Sequence, residues 1–248
     1  MIVLLPPSET KHPGGDGPPL RLDALSYPEL ALLRAALVDE LVELAADKSA
    51  CSRALGLSAS QHGEIERNAA LRSAATMPAI NRYTGVLYDA LDVTSLAGAA
   101  ADRARARLAV GSALFGLLRA DDSIPAYRLS ATSKLPGQPA LATRWRPLLE
   151  PVLAAAAAGE LVVDLRSGSY ASLGRLPDAV HVDVVSERAD GKRTVVSHFN
   201  KAHKGRLARI LASTRSEPGS ASAVATIARR AGMQMEREGN QLTVVIAG

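Results

Sequence analysis

The hydrophobic positions change period several times along the chain. Residues 2–5, Ile-Val-Leu-Leu, form an unbroken apolar run that stops at Pro6-Pro7. A run of that length reads as a buried strand, and prolines end it because they cannot donate to a ladder. Residues 6–22 are a loop rich in Pro and Gly. From Pro28 the period turns helical: Leu30, Leu33, Leu37, Leu41 and Leu44 recur three and four apart over residues 28–46, with Pro28 suited to the first helical position. Two further helical patterns, 50–57 and 60–74, meet at Gly56-Leu57-Ser58.

After a break at 77–82, the spacing predicts short helices over 83–91 and 95–107, then a small, apolar central strand over 108–115. Residues 139–158 read as a long helix that Pro147 and Pro151 should kink or divide. Residues 161–165 are a second buried strand. Two hairpins follow, 179–187 with 193–199 around Asp190-Gly191, and 234–237 with 241–246 around Gly239-Asn240, separated by helices over 200–214 and 220–231. This order predicts an α/β (mixed α+β) fold: one domain over residues 1–248, with a mixed sheet, flanking helices and a helical insertion at about 23–75.

Composition narrows the picture. Of the 248 residues 47% are hydrophobic but only 3% aromatic, so the core is built of Ala, Leu and Val. The single Cys51 excludes an internal disulfide and a CxxC metal site. No apolar run is long enough to span a membrane and no targeting segment is visible, so the expected location is the cytoplasm and no membrane partner is expected. The net charge is only +4, yet residues 192–216 hold no Asp or Glu beside Lys192, Arg193, Lys201, Lys204, Arg206, Arg209 and Arg215. That distribution permits a surface for anions or nucleic acid.

Candidate chemistry collects after strands and turns. Ser8, Glu9, Thr10 and Lys11 leave the carboxyl end of the first strand, where ligand sites of open α/β sheets collect. Tyr83-Thr84-Gly85 is a turn or helix entry. Gly116-Leu117-Leu118-Arg119 leads to Ile124-Pro125-Ala126-Tyr127-Arg128-Leu129, where Arg128 can clamp an anion or pair with Asp121 or Asp122. Asp164-Leu165-Arg166-Ser167-Gly168-Ser169-Tyr170 follows the second buried strand, and Lys201 and Lys204 stand near a helix start. His198 and His203 are too isolated for a metal site, and no metal or cofactor is implied.

In this order these stretches resemble the YaaA family of peroxide stress proteins. The likeness runs from Pro6-Pro7-Ser8-Glu9-Thr10-Lys11 through Tyr83-Thr84-Gly85, the 116–119 and 124–129 stretches and 164–170 to residues 201–205. Asp164, Ser169 and Lys204 stand where the family pattern often has Asn, Glu and Arg. The resemblance implies a protein that limits oxidative damage, is linked to lower free iron, and binds DNA through a helix-hairpin-helix-like element in an unusual fold. Residues 47–66 are the candidate for that element, with Gly56 at its turn and Arg206 and Arg209 as further contacts to double-stranded DNA.

Two functions stay open beside the family role. One is binding of DNA or another polyanion through a basic surface. The other is a metal-independent enzyme for a small anionic or nucleobase-like ligand. Its pocket would hold Lys11, Lys201, Tyr83 and Arg128 as catalytic candidates, and Ser8, Glu9, Thr10, Thr84, Ser167, Tyr170 and Lys204 as ligand contacts. A partner-binding or iron-handling scaffold is a third reading, without ligand spacing to support it.

Overall fold

The computed structural model describes residues 1–188, 192–195 and 197–247, with the side chains of 195, 197–199 and 247 left aside. Strand β1 (Ile2–Leu5) is buried along its length and is flanked in the sheet on both sides, which explains its unbroken apolar run. β2 (Gly17–Pro19) leads to the predicted helical insertion: α1 (Ala31–Leu44), α2 (Lys48–Leu55) and α3 (Gly63–Ala69). The chain returns through β3 (Ala75–Pro78), which pairs antiparallel with β2 and so brings the two ends of the insertion together. The third helix is shorter than its sequence pattern at both ends: the chain enters it through a 3-10 turn at Ala59–Gln61 and leaves it after Ala69 in a turn closed on the Ala70 carbonyl by the Ser73 and Ala74 N–H groups.

The expected break at 77–82 instead holds the end of β3 and a one-turn α4 (Ala79–Arg82). Next come α5 (Val86–Leu91), α6 (Ala99–Arg107), β4 (Leu108–Ser112), β5 (Gly116–Arg119) and β6 (Ser123–Ile124), which pairs with β3. Helix α7 (Leu141–Ala156) runs undivided through Pro147 and Pro151. Both prolines lie on its exposed side, so the carbonyls they leave unbonded can turn to water rather than break the helix. β7 (Val162–Asp164) and a one-turn α8 (Gly168–Ala171) precede β8 (Val180–Glu187) and β9 (Arg193–Val195). β8 and β9 pair antiparallel as predicted, while the turn at Asp190-Gly191 lies outside the described residues. Helix α9 (Ser197–Ser213) already includes residues 197–199, which the sequence pattern put in a strand. α10 (Ala221–Arg230) and the hairpin β10 (Met235–Glu238) and β11 (Gln241–Ala247) close the fold.

The main sheet runs β10-β11-β8-β7-β1-β4-β5, with β9 paired to β8. Its middle is parallel: β1 pairs with β4 and with β7, β7 with β8, and β8 with β11. The outer pairings are antiparallel, so the sheet is mixed as expected. β1, β4 and β7 are neighbours pointing the same way, so their carboxyl ends open on one edge. Helix α9 is held tightly against α5 at Gly205, where any Cβ would overlap the Leu87 carbonyl oxygen. Among the described residues no helix is long and apolar enough to cross a membrane.

One charge sits inside the apolar stripe of α1. Arg34 is fully buried and donates to the carbonyls of Ser26, Phe115 and Leu117 at 2.8–2.9 Å. It ties the insertion to β5 by satisfying backbone acceptors that would otherwise be buried unpaired.

Candidate active site

The chain leaving β1 at Pro6-Pro7 folds back so that Lys11 pairs with Tyr83 as an isolated β-bridge. The Tyr88 hydroxyl fixes the exit by donating to the Pro6 carbonyl at 2.8 Å. Lys11 is 7% exposed. Its Nζ donates to the carbonyls of Ser8 (3.0 Å) and Glu9 (3.4 Å) and lies 4.1 Å from the Tyr127 ring centroid and 5.5 Å from that of Tyr83. Two carbonyls and a ring face attract the charge. Burial opposes it and lowers the ammonium to about 7, against the nearby carboxylates of Glu64 and Glu9 and with help from Arg128 and Arg67.

Beneath the lysine lies a chain of hydroxyls. Ser112, the last residue of β4, accepts the backbone N–H groups of Leu114 and Phe115 at 3.2 and 3.0 Å. Both its lone pairs are then used, so its own proton goes to the Tyr127 hydroxyl 2.7 Å away. Tyr127 in turn donates to Tyr83 across 2.8 Å. That direction leaves the Tyr83 O–H without an acceptor among the described residues. Burial raises the Tyr83 and Tyr127 phenols well above their ordinary range, so both stay protonated. Tyr170, on α8, is pushed up to about 12 by burial, with a backbone hydrogen bond from Ala131 acting the other way. The charges of Glu9 and Arg128 also act on it.

Arg128 follows Tyr127 directly. Its backbone is gripped by the fully buried Asn68 of α3: the Arg128 N–H donates to Asn68 Oδ1 (2.8 Å) and its carbonyl accepts from Asn68 Nδ2 (2.9 Å). The guanidinium reaches Glu9, with Nη2 2.8 Å from Oε2. Arg128 is thus paired across the site, and not with Asp121 or Asp122 as its neighbours in sequence allowed. Glu64 and Arg67, an ion pair on α3, complete that wall.

At the end of β7, Asp164 forms a buried ion pair with Arg166, Oδ2 to Nη2 at 2.8 Å, while its Oδ1 also accepts the Arg166 backbone N–H. Lys204 of α9 is buried beside it and donates to the Leu165 carbonyl at 3.2 Å. Burial lowers the Lys204 ammonium, while Asp183 and Asp164 support its charge.

Several predicted site residues therefore gather at one sheet edge: Lys11, Tyr83, Arg128, Glu9 and Tyr170. Ser8 and Thr10 share a 3.1 Å hydroxyl contact, and Thr10 donates to the Thr84 carbonyl at 3.3 Å. Gly85, at φ 94°, passes these hydroxyls so closely that a Cβ there would lie 3.1 Å from Thr10 Oγ1. Ser167 bonds the Ser169 hydroxyl at 3.1 Å in an exposed turn. Lys201 is exposed and has no hydrogen-bond or ion-pair partner among the described residues; Lys204, one turn on, is the lysine that turns inward. Ser112, Tyr127, Asn68, Glu64 and Arg67 were not among the sequence candidates. Tyr127 carried a signal, its place beside Arg128; a single Asn within a helical pattern carries none.

The residues expected to touch DNA lie elsewhere. Gly56 ends α2 in the left-handed conformation at φ 64°. Arg206 donates to the Ala231 carbonyl at 3.3 Å. Arg209 caps α5, donating to the carbonyls of Leu91 (2.9 Å) and Asp92 (2.5 Å) and to Ser95 Oγ (2.8 Å). Among the described residues no group of three or more His, Cys, Asp or Glu side chains is placed to hold a metal ion.

The family model described as "Peroxide stress protein YaaA" matches residues 1–237. The chain is 49% identical to a UPF0246 protein of Corynebacterium efficiens, covering 99% of each. It is 46% identical to one of Corynebacterium glutamicum, covering 99% of this chain and 100% of the relative. A UPF0246 protein of Streptomyces coelicolor is 44% identical, with 96% and 93% covered. With nearly the whole length matched by the model and by relatives this similar, the chain belongs to the YaaA family of peroxide stress proteins.

Proposed function

We propose that the cluster around Lys11 binds a small anionic molecule and transfers a proton on it, with Lys11 as base, Tyr83 as hydrogen-bond donor and Arg128 as anion clamp. The observation that carries this reading is a buried lysine, lowered to about 7, beside a phenol; among the described residues the lysine has no ion-pair partner and the phenol proton no acceptor. A lysine lowered to about 7 is a competent base at neutral pH, and a protonated phenol suits a developing oxyanion. Ser8, Thr10 and Tyr170 supply further polar contacts.

The test is a binding screen of small carboxylates and phosphates against the full chain by calorimetry. Lys11→Met and Arg128→Gln should each abolish a hit that Lys201→Met leaves intact. A ligand whose affinity ignores both Lys11 and Arg128 ends this reading. Family membership gives the cellular readout: the same variants should fail to restore peroxide tolerance to a strain lacking the protein.

A second reading, double-stranded DNA held at residues 47–66, is favoured by the left-handed turn at Gly56 between Leu55 and Leu57. Against it, Arg209 spends donors on the carbonyls of Leu91 and Asp92 and on Ser95. Gel retardation over a salt series separates the two readings: phosphate contacts make affinity fall linearly on logarithmic axes, and no retardation at low salt removes the DNA reading.

A further inference from the structure

We infer that Glu9 is a displaceable stand-in for the ligand's anionic group, and that the ligand binds by taking the place of the Glu9 carboxylate on Arg128. The inference rests on the proposed anion site and specifies how that site is entered.

The two partners of this ion pair are unequal. The Arg128 side chain is 12% exposed, whereas that of Glu9 is 61% exposed. Arg128 is held at both its backbone N–H and its carbonyl by the buried Asn68, so its position is set by the fold. Glu9 reaches it from the polar loop after Pro6-Pro7, and one hydrogen bond, Nη2 to Oε2, joins them.

Arg128 is also under-used. A guanidinium carries five donors. Arg34 donates from all three of its nitrogens to carbonyls, and Arg82 makes four such bonds, to Ile124, His12, Gly14 and Ala75. Both are structural pins with their donors committed. Arg128, mostly buried, makes one side-chain hydrogen bond among the described residues. Its spare donors fit an oxyanion that accepts two parallel N–H bonds, as a carboxylate or phosphate does.

Exchange then costs little. An ion pair with one partner mostly in water is weak, since solvent screens it and holding a long side chain in place costs entropy. A bidentate oxyanion replaces one hydrogen bond with two, and Glu9 moves into solvent. The incoming group would lie near Tyr170, which senses both Glu9 and Arg128, and near Lys11, which hydrogen-bonds the Glu9 carbonyl. Glu9 would thus reject neutral molecules, which cannot compete for the guanidinium, and admit anions.

The test titrates the full chain with inorganic phosphate and, separately, with acetate at constant ionic strength, following binding by calorimetry. Glu9→Gln keeps the loop's size and removes the competing charge. It should bind the preferred anion about one-and-a-half- to fivefold more tightly than the wild type, the range expected from deleting a weak ion pair. Arg128→Gln should lose binding, and Glu9→Gln with Arg128→Gln together should show no gain. Arg128→Lys serves as the second variant if Arg128→Gln does not fold. Which anion gains identifies a carboxylate or a phosphate ligand. Equal or weaker binding by Glu9→Gln, with binding still dependent on Arg128, overturns the displacement and leaves the anion site standing. No binding of either anion by wild type and Glu9→Gln overturns both.

Discussion

The Lys11 ammonium lies 4.1 Å from the centroid of the Tyr127 ring and donates to two backbone carbonyls, with no carboxylate in ion-pair contact among the described residues. Lysines buried to this degree are normally paired. Here the loop after β1 supplies only partial charges, carbonyl oxygens and a ring face. Its amine is therefore poised between its charged and neutral forms.

That poise has a pH signature. Lys11 is lowered to about 7 in the fold, against an ordinary lysine near 10.4 in the unfolded chain. Between those values the unfolded chain binds a proton that the folded one does not, so stability from this group rises with pH. The cost of burying the charge is complete below about 7 and fades towards 10. Denaturant unfolding of wild type and Lys11→Met should differ most at pH 6. The advantage of the variant should shrink by about 1–3 kcal/mol by pH 9.5. A difference that stays flat across that range refutes the poise.

Tyr127→Phe keeps the ring under Lys11 and removes the middle hydroxyl of the Ser112–Tyr127–Tyr83 chain. Ser112 then loses its acceptor and Tyr83 its donor in a buried setting. The expected loss is about 1–3 kcal/mol of stability. Far-ultraviolet circular dichroism should be unchanged. Unfolding by urea measures the loss; a neutral result would mean that the chain is already broken by water.

Asn68→Leu removes both hydrogen bonds that grip the Arg128 backbone. The part-buried amide and carbonyl of Arg128 lose their partners, at about 0.5–1.5 kcal/mol each. Anion binding should weaken as well, because the guanidinium is no longer held in register. Calorimetric titration of the variant with the best anion from the screen measures that second effect. Unaltered affinity would confine Asn68 to a role in stability.

Gly205→Ala tests the contact between α5 and α9. The new Cβ would overlap the Leu87 carbonyl oxygen, a backbone atom that cannot swing aside. Overpacking of this kind costs about 1–3 kcal/mol or more. The same shift would carry the buried Lys204 amine off the Leu165 carbonyl. Thermal unfolding of the variant should begin well below that of the wild type; an unchanged melting curve would show that the helices separate without cost.

Much of the architecture was legible because burial leaves periodic marks. β1 and β7 read as strands from their apolar runs, α1 from its leucines, and the last hairpin from Gly239-Asn240. The misreadings have local causes. α7 survives Pro147 and Pro151 because both face solvent, and exposure is not written in the order of residues. Strand β3 was missed because four residues, Ala-Thr-Met-Pro, carry too little pattern to compete with a break. α3 is shortened by turns at both ends, at 59–61 and after Ala69, that the same residues could have continued as helix.

The candidate site divides along the same line. Residue types and their order in the chain were enough to mark Lys11, Tyr83, Arg128 and Tyr170, because polar groups after a strand or turn need a reason to be there. What the order could not decide is which of these groups meet, since a contact such as Glu9 with Arg128 spans 119 positions. Tertiary packing alone chose Lys204 over Lys201 as the inward lysine, put Asn68 behind Arg128, and gave Tyr83 the free proton. Each of those outcomes depends on distance and burial, and a linear sequence carries neither.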